Sequence, residues 1–561
     1  MRDDARRWRL LALLGGLLAL SVLFVHVPAA LWAGNLTEFH SSSGALLALG
    51  LLSTGVGLVA VSLALGVLPQ SLQRAMACVL PAIGVTWWVY GLLLVGKMHA
   101  LNGAVPPVDV SRMPGTWELG VVALFLGAVA IAAARYRDTA IRLLVFLNIG
   151  LLAATTVAVV SAHGPVRATR GVDTTSVFRF STRTNVLVVV LDELQSDLAS
   201  TVFGGDPRLA SAFDGFVFYK DTLGVAPTTM LSLPAIHSGV TYESGAIQTY
   251  FTTAVTGRSF LTLFTKAGYE ASLVNPLMGV CPPRLAACVG VAEVLPAASA
   301  QRRATSSLRM ESIRLLDLSI FRVAPFVLKS WVYNGGRGRV AVLAGTNLPQ
   351  LAQLALDSNS ALEEIASRLT SGDGPPTIKF VHSLATRMPY VIRDDCRTVG
   401  AADIRKAESH ARCGLQAVAA LLDRLKAEGL YDRTVVLLLA DHGLNPMLFP
   451  VASAGSHDEW YRMAESANPL FMLKPLNSRG PMRSAVESVQ LVDVGATLCA
   501  ATSACTAPHG YPAGQAPANR MRRFNQYSWD DRFWDSMTIP GLTRYDVRGP
   551  LDQQASWQRV E

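Results

Sequence analysis

Five long apolar segments crowd the first third of this chain, at about Leu10–Trp32, Gly44–Val67, Ala75–Val95, Trp117–Ala134 and Leu143–Ser161. A stretch of roughly 17–25 apolar residues crosses a bilayer only as a helix, because the hydrocarbon offers no water to an open backbone. No other feature restricts the fold so strongly, and residues 1–162 are expected to form a transmembrane domain of five helices. The first segment is read as a span rather than a cleaved leader, since four more follow it and no soluble domain begins after it. The chain is 51% hydrophobic and only 16% charged, with a mean hydropathy of +0.33, and the excess lies almost wholly before residue 165.

Orientation follows from the basic residues. Arg2, Arg6, Arg7 and Arg9 precede the first span, Arg74 lies between the second and third, and Arg135, Arg137 and Arg142 lie around the fourth-to-fifth turn. The alternate loops carry few charges of mixed sign, Glu38, Lys97, Asp109, Arg112 and Glu118. The positive-inside rule then places the N-terminus in the cytoplasm, and an odd number of spans puts the C-terminal part outside. The cysteines agree. Cys78 lies inside the third span, and the other six fall in the C-terminal half as near neighbours: Cys281 with Cys288, Cys396 with Cys413, Cys499 with Cys505. An even set in an oxidising compartment reads as bridges, although six cysteines allow fifteen connectivities.

The net charge of +8 and pI near 9.2 accompany no nucleic-acid motif, and part of the charge is topological. From Arg302 to Arg339 eight basic residues are interleaved with Leu, Ile, Phe and Trp. That pattern suits an amphipathic segment on an anionic membrane surface. It suits an ordinary solvated helix face equally, and both readings stay open.

Residues 163–184 are polar with little periodicity and read as a linker; 185–561 read as the catalytic domain. Its runs at Val186–Leu191, Phe216–Lys220, Ala271–Val274, Ile378–Ser383, Val435–Ala440 and Leu470–Leu473 read as strands. Helical patterns at Asn347–Leu369 and Ala401–Glu428 lie between them. Alternation of this kind implies an α/β domain with a central, mostly parallel sheet. Two of the runs end on ionisable residues: NVLVVVLDE delivers Asp192 and Glu193, and TVVLLLADHG delivers Asp441 and His442. Ligands of open α/β sheets bind beyond such carboxyl ends. Carboxylates with an imidazole suit a divalent metal such as Zn²⁺ or Mn²⁺.

Between these strand ends lies GVAPTTMLSLPAIHSG, residues 224–239. Thr228 and Thr229 open a helical stretch whose free N–H groups favour a phosphate, and a hydroxyl held there beside a metal can act as a nucleophile. On this stretch alone a plain N-cap threonine would explain them.

The order of an acidic strand end, Thr-x-x-Ser-x-Pro, a histidine strand and Asp-His-Gly resembles the alkaline phosphatase and sulfatase superfamily. Within it the chain looks most like membrane-bound phosphoethanolamine transferases and lipoteichoic acid synthases. The resemblance implies a sulfatase-like fold behind five spans. It selects Thr229 as nucleophile, with Ser232 and Pro234 completing its motif, and Asp192, Thr229, Asp441 and His442 as ligands of one metal ion, Zn or Mn. Glu193 stays open as a ligand, and so does a second metal. His382 matches the family's first strand histidine, whereas Arg387 stands where the second is expected. A guanidinium cannot ligate a metal but can clamp a phosphate. His382, Arg387 and His457 are the implied substrate-binding residues. The sulfatase Cys/Ser-x-Pro-x-Arg motif is absent, since Thr229 to Leu233 reads TMLSL.

By this resemblance the chain is an enzyme of the bacterial inner membrane with an extracytoplasmic catalytic domain. It would transfer a phosphoethanolamine or phosphoglycerol head group from a phospholipid donor to a cell-surface glycan or lipid through a phosphothreonine. The alternatives are a phosphate or sulfate ester hydrolase and a catalytically silent lipid-binding protein; nucleic acid is not an expected partner.

Overall fold

In the computed structural model the chain forms two compact units, Met1–Ala168 with Ala298–Asn347, and Thr169–Ala297 with Leu348–Glu561. The structure describes residues 2–35, 39, 41–94, 116–162, 173–334, 338–345, 350–388, 390–398, 403–444, 459–527, 538–539 and 542–560.

Among its described residues the first unit contains five helices long and apolar enough to cross a membrane: α1 (Asp4–Gly34), α2 (Ser43–Val67), α3 (Gln70–Leu93), α4 (Trp117–Arg135) and α5 (Arg137–Ala162). Their outward faces are apolar, with Leu52, Val59, Leu63, Leu124, Ile131, Phe146 and Leu152 exposed, as expected of surfaces solvated by lipid. Helices α1 and α3 approach closely through small residues. A Cβ at Gly15 would collide with the Pro81 backbone, and one at Gly84 would reach Gly15 O at 2.8 Å. Arg7 pairs with Asp138 at 3.0 Å and Arg137 pairs with Asp4, so the starts of α1 and α5 share one end of the bundle.

The Arg-rich stretch also belongs to this unit. It forms α6 (Ala297–Val323) and α7 (Phe326–Tyr333). Leu315 is buried with Trp32 and Leu46, while Leu316, Ile320 and Val323 pack with span residues. Glu311 Oε2 accepts the Ser41 N–H at 3.0 Å. Residues 298–347 thus interrupt the second unit in sequence, inside the range 185–561.

Of the expected linker, residues 163–172 lie outside the described residues. Thr175–Phe178 is a helical turn, and Arg179–Ser181 is a strand running parallel to Thr370–Gly372.

The second unit is built on an eight-stranded sheet. Its strands are β1 (Asn185–Leu191), β2 (Val217–Tyr219), β3 (Glu270–Val274), β4 (Ala287–Val289), β5 (Thr377–Ser383), β6 (Thr434–Leu439), β7 (Phe471–Lys474) and β8 (Arg483–Ala485), in the order β8-β2-β7-β6-β1-β5-β3-β4. Among these strands β7 alone runs antiparallel to its neighbours. Strand β1 lies between parallel partners, with Val190 opposite His382 on β5 and Leu439 on β6.

Every side chain of β1 is buried, and the strand alternates between two cores. Leu187, Val189 and Leu191 enter one core, with Leu362, Ile365, Leu415 and Leu422 from the helices Gln350–Arg368 and Ala407–Ala427. Val186, Val188 and Val190 enter the other, with Leu231, Leu233 and Ile236 of the helix Thr229–Ser238. A strand covered by helices on both faces reads as an unbroken apolar run, which is why β1 and β6 stand out in the sequence. The cysteines pair as Cys281–Cys288, Cys396–Cys413 and Cys499–Cys505, with Cα separations of 6.2, 5.4 and 4.8 Å. Cys78 is free.

Candidate active site

Strand parity assembles the site. Residues two apart on a strand share a face. Asp192 continues Val186, Val188 and Val190; Asp441 continues Val435, Leu437 and Leu439; His382 continues Ile378 and Phe380. All three therefore belong to the face covered by the Thr229–Ser238 helix. Continuing the β1–β6 register by two residues sets Asp192 abreast of Asp441. The Asp192 N–H still donates to Ser383 O at 2.9 Å, after which Glu193, at φ +67°, turns the chain out of the sheet.

Thr229 is the first residue of its helix, following Thr228 in extended conformation. Its hydroxyl donates to Asp192 Oδ2 at 3.2 Å and lies 3.4 Å from His442 Nε2. The approach to this helix is held by the strand Arg522–Gln526, which forms a three-stranded sheet with Thr543–Val547 and Trp557–Val560, and by Tyr527 just after it. Asn525 N–H donates to Val225 O at 2.8 Å, and the hydroxyls of Thr228 and Tyr527 are 2.6 Å apart. Ser232 Oγ donates to Ala226 O at 3.1 Å.

Asp192 Oδ2 also meets His382 Nε2 at 3.1 Å and Arg387 Nη1 at 3.3 Å. Burial favours protonation of Asp192, but the Arg387 charge and the His382 hydrogen bond prevail, holding the carboxyl well below the usual range. His442 Nδ1 is 2.7 Å from Gly443 O. A carbonyl only accepts, so Nδ1 carries the proton and Nε2 presents its lone pair to the site. Burial opposes charge on His442, yet Asp441, Asp192 and Glu193 together raise its pKa.

Asp192, Asp441 and His442 each offer a ligand atom, all within 4.8 Å of one another. Asp192 Oδ1 and Asp441 Oδ2 are buried with no hydrogen-bond partner among the described residues. Buried carboxylate oxygens are costly to leave unmatched. Two of them facing an imidazole lone pair fit a divalent cation, which these residues with Thr229 Oγ would hold.

Glu193 points elsewhere. Its backbone N–H donates to Asp441 Oδ1 at 3.1 Å, and its carboxylate accepts the Met388 N–H at 3.0 Å. Thr386 Oγ1 donates to Asp192 O at 2.6 Å. The loop bearing Arg387 is therefore tied down on both sides of the arginine. Thr386 and Tyr527 escaped the sequence reading, since neither lies in an ionisable pattern and Tyr527 is 299 residues from its partner. His457 lies outside the described residues.

No family model matches the chain, and no curated protein matches it. Among solved structures it is similar to the phosphonate monoester hydrolase SpPMH from Silicibacter pomeroyi, at 13% identity and a TM-score of 0.39 over 65% of this chain and 85% of that one. It is also similar to the C-terminal periplasmic domain of EcEptC from Escherichia coli, at 12% identity and TM-score 0.34 over 60% and 89%. A third is the lipoteichoic acid synthase LtaP from Listeria monocytogenes, at 11% identity and TM-score 0.36 over 67% and 85%. A fourth is a protein in the alkaline phosphatase superfamily from Vibrio parahaemolyticus, at 12% identity and TM-score 0.38 over 69% and 84%. Similarity this low carries no argument about the chemistry, which rests on the geometry above.

Proposed function

We propose that the second unit is a metal-dependent transferase that moves a phosphorylated head group from a phospholipid to a hydroxyl of a cell-surface glycan or lipid. The observation that carries this reading is the seat of Thr229, a hydroxyl at a helix N-terminus between Asp192 Oδ2 and His442 Nε2. The helix start favours the phosphate that such a hydroxyl would attack.

Thr229 Oγ forms a bond to the donor phosphorus as the bond to the diacylglycerol oxygen breaks. The hydroxyl donates to Asp192 Oδ2, and that carboxylate takes its proton as the bond forms. Arg387 neutralises non-bridging phosphoryl oxygens, and His382 or His457 protonates the departing alkoxide. The acceptor oxygen then bonds to the phosphorus as the Thr229 Oγ–P bond breaks, and the acceptor's proton returns to Thr229 Oγ. A divalent ion, Zn²⁺ or Mn²⁺, bound at Asp192, Asp441 and His442 would supply Lewis-acid stabilisation and ease ionisation of the threonine.

The basic residues at Arg2–Arg9, Arg74 and Arg135–Arg142, with three disulfides in the other half, support an extracytoplasmic catalytic unit, which the proposal sets at a bacterial inner membrane.

The test is the intact mass of the full chain, wild type and Thr229→Ala, after incubation with defined phospholipids and Zn²⁺ or Mn²⁺. A head-group adduct on wild type alone is expected, and its mass names the donor. Release of phosphate esters without an adduct or an acceptor product would make the unit a hydrolase instead.

A further inference from the structure

Beyond α7, the short helix Arg339–Leu343 completes a segment that buries Val332 and Tyr333 but leaves four other apolar side chains uncovered. Leu328, Trp331, Val342 and Leu343 are 41%, 62%, 40% and 87% exposed. This exposure is not that of a loose end. Asp317 accepts the N–H groups of Arg339 and Val340 at 2.8 Å and of Ala341 at 2.9 Å, capping the short helix. Arg339 lies 4.5 Å over the Trp331 ring, and its Nε donates to Trp331 O at 2.9 Å.

The segment's level along the bundle is set at two points. Glu118, the second residue of α4, accepts the Phe326 and Val327 N–H groups at 3.0 Å and the Tyr90 hydroxyl at 2.7 Å. Arg322 Nε donates at 2.9 Å to Gly91 O, in the last turn of α3. The end of α3 and the start of α4 are the same end of two successive spans. The segment is therefore level with the ends of these two spans, where Leu93 and Trp117 are exposed.

Indole and guanidinium groups beside leucines at that depth are the chemistry of a bilayer interface. We propose that Phe326–Tyr333 and Arg339–Leu343 are seated in the interfacial layer of the bilayer that α1–α5 cross. Leu328, Trp331, Val342 and Leu343 lie among the acyl chains, and Arg339 lies against lipid phosphates. The occupant is lipid because the patch continues, at the same end, the apolar surface of the spans. The inference rests on α1–α5 being membrane spans and is independent of the catalytic reading.

The experiment uses the full chain in phospholipid vesicles with Cys78→Ala, which removes the free thiol. Leu343→Cys and Trp331→Cys are made separately and labelled with an environment-sensitive fluorophore. Leu124→Cys, on the exposed face of α4, reports the span itself. Apolar faces of interfacial helices lie about 5–10 Å deep, so both labels should lose roughly half their emission when the acyl chains are brominated and change little with aqueous iodide. Quenching by iodide but not by brominated lipid overturns the proposal. Shielding from both quenchers overturns it in favour of a protein partner. A Leu124 label that brominated lipid does not reach removes the membrane reading and the proposal with it.

Discussion

Asp192 and Asp441 end adjacent parallel strands abreast of each other, and each keeps one buried carboxylate oxygen with no hydrogen-bond partner among the described residues. Two such oxygens beside His442 Nε2 are costly to bury together unless a cation matches their charge.

Metal removal should therefore destabilise the protein. A ligand held at 100 times its Kd contributes about 2.7 kcal/mol, so chelation should lower the melting temperature measurably. Asp441→Asn should bind less metal by elemental analysis and lose this sensitivity to chelator. Unchanged metal content in the variant would remove Asp441 from the ligand set.

Arg387 approaches the same Asp192 oxygen that receives Thr229, at 3.3 Å. Arg387→Ala should cost roughly 10²–10³ in kcat/KM on a phosphodiester, the usual loss for one transition-state donor. Arg387→Lys should recover only part, because an ammonium lacks the planar fork. Full activity in the lysine variant would leave Arg387 as a general source of charge.

Glu193 separates two roles by its own substitutions. If it holds the Arg387 loop through the Met388 N–H, an amide oxygen can accept the same bond. Glu193→Gln should then keep its metal and most activity, while Glu193→Ala keeps the metal and raises KM for the donor. Loss of metal in the glutamine variant would make Glu193 a ligand.

Lys379, buried on β5, donates to Ser176 O and lies 4.9 Å over the Phe180 ring. Burial, aided by Arg179 and opposed by Glu270, lowers its pKa to about 7. Between that value and the ordinary lysine value of 10.5 the unfolded chain holds the extra proton, so stability rises with pH across this window. Below about 7 both states are charged and the cost of burial is complete. Thermal melts from pH 7 to 9.5 should show a rise of a few degrees that Lys379→Met largely flattens. Lys474, lowered to about 8 chiefly by burial, acts in the same sense and leaves a residual slope. A variant with the wild-type slope would exclude Lys379 as its source.

Much of the fold was legible because burial on both faces leaves a plain mark. The apolar run Val186–Leu191 is one residue shorter than the strand Asn185–Leu191, and Val435–Ala440 is offset by one from Thr434–Leu439. The near-neighbour cysteines pair as their spacing suggested. The Arg302–Arg339 stretch was only partly legible. Alternation of basic and apolar residues says that one face is buried, not whether the burier is lipid or protein. Leu315 and Val323 go into the bundle, whereas Trp331 and Leu343 stay outside it.

The sequence alone determined the division into five apolar helices and an α/β unit, and it placed ionisable residues at strand ends. Those properties follow from hydropathy and two-residue periodicity, which are local. Only the tertiary structure brought Asp192, Thr229, Asp441 and His442 together, turned Glu193 toward the Met388 N–H, joined Thr228 to Tyr527 and grouped residues 298–347 with the spans. Each depends on strand order and register, which pair residues far apart in the chain and leave no trace in any short window of it.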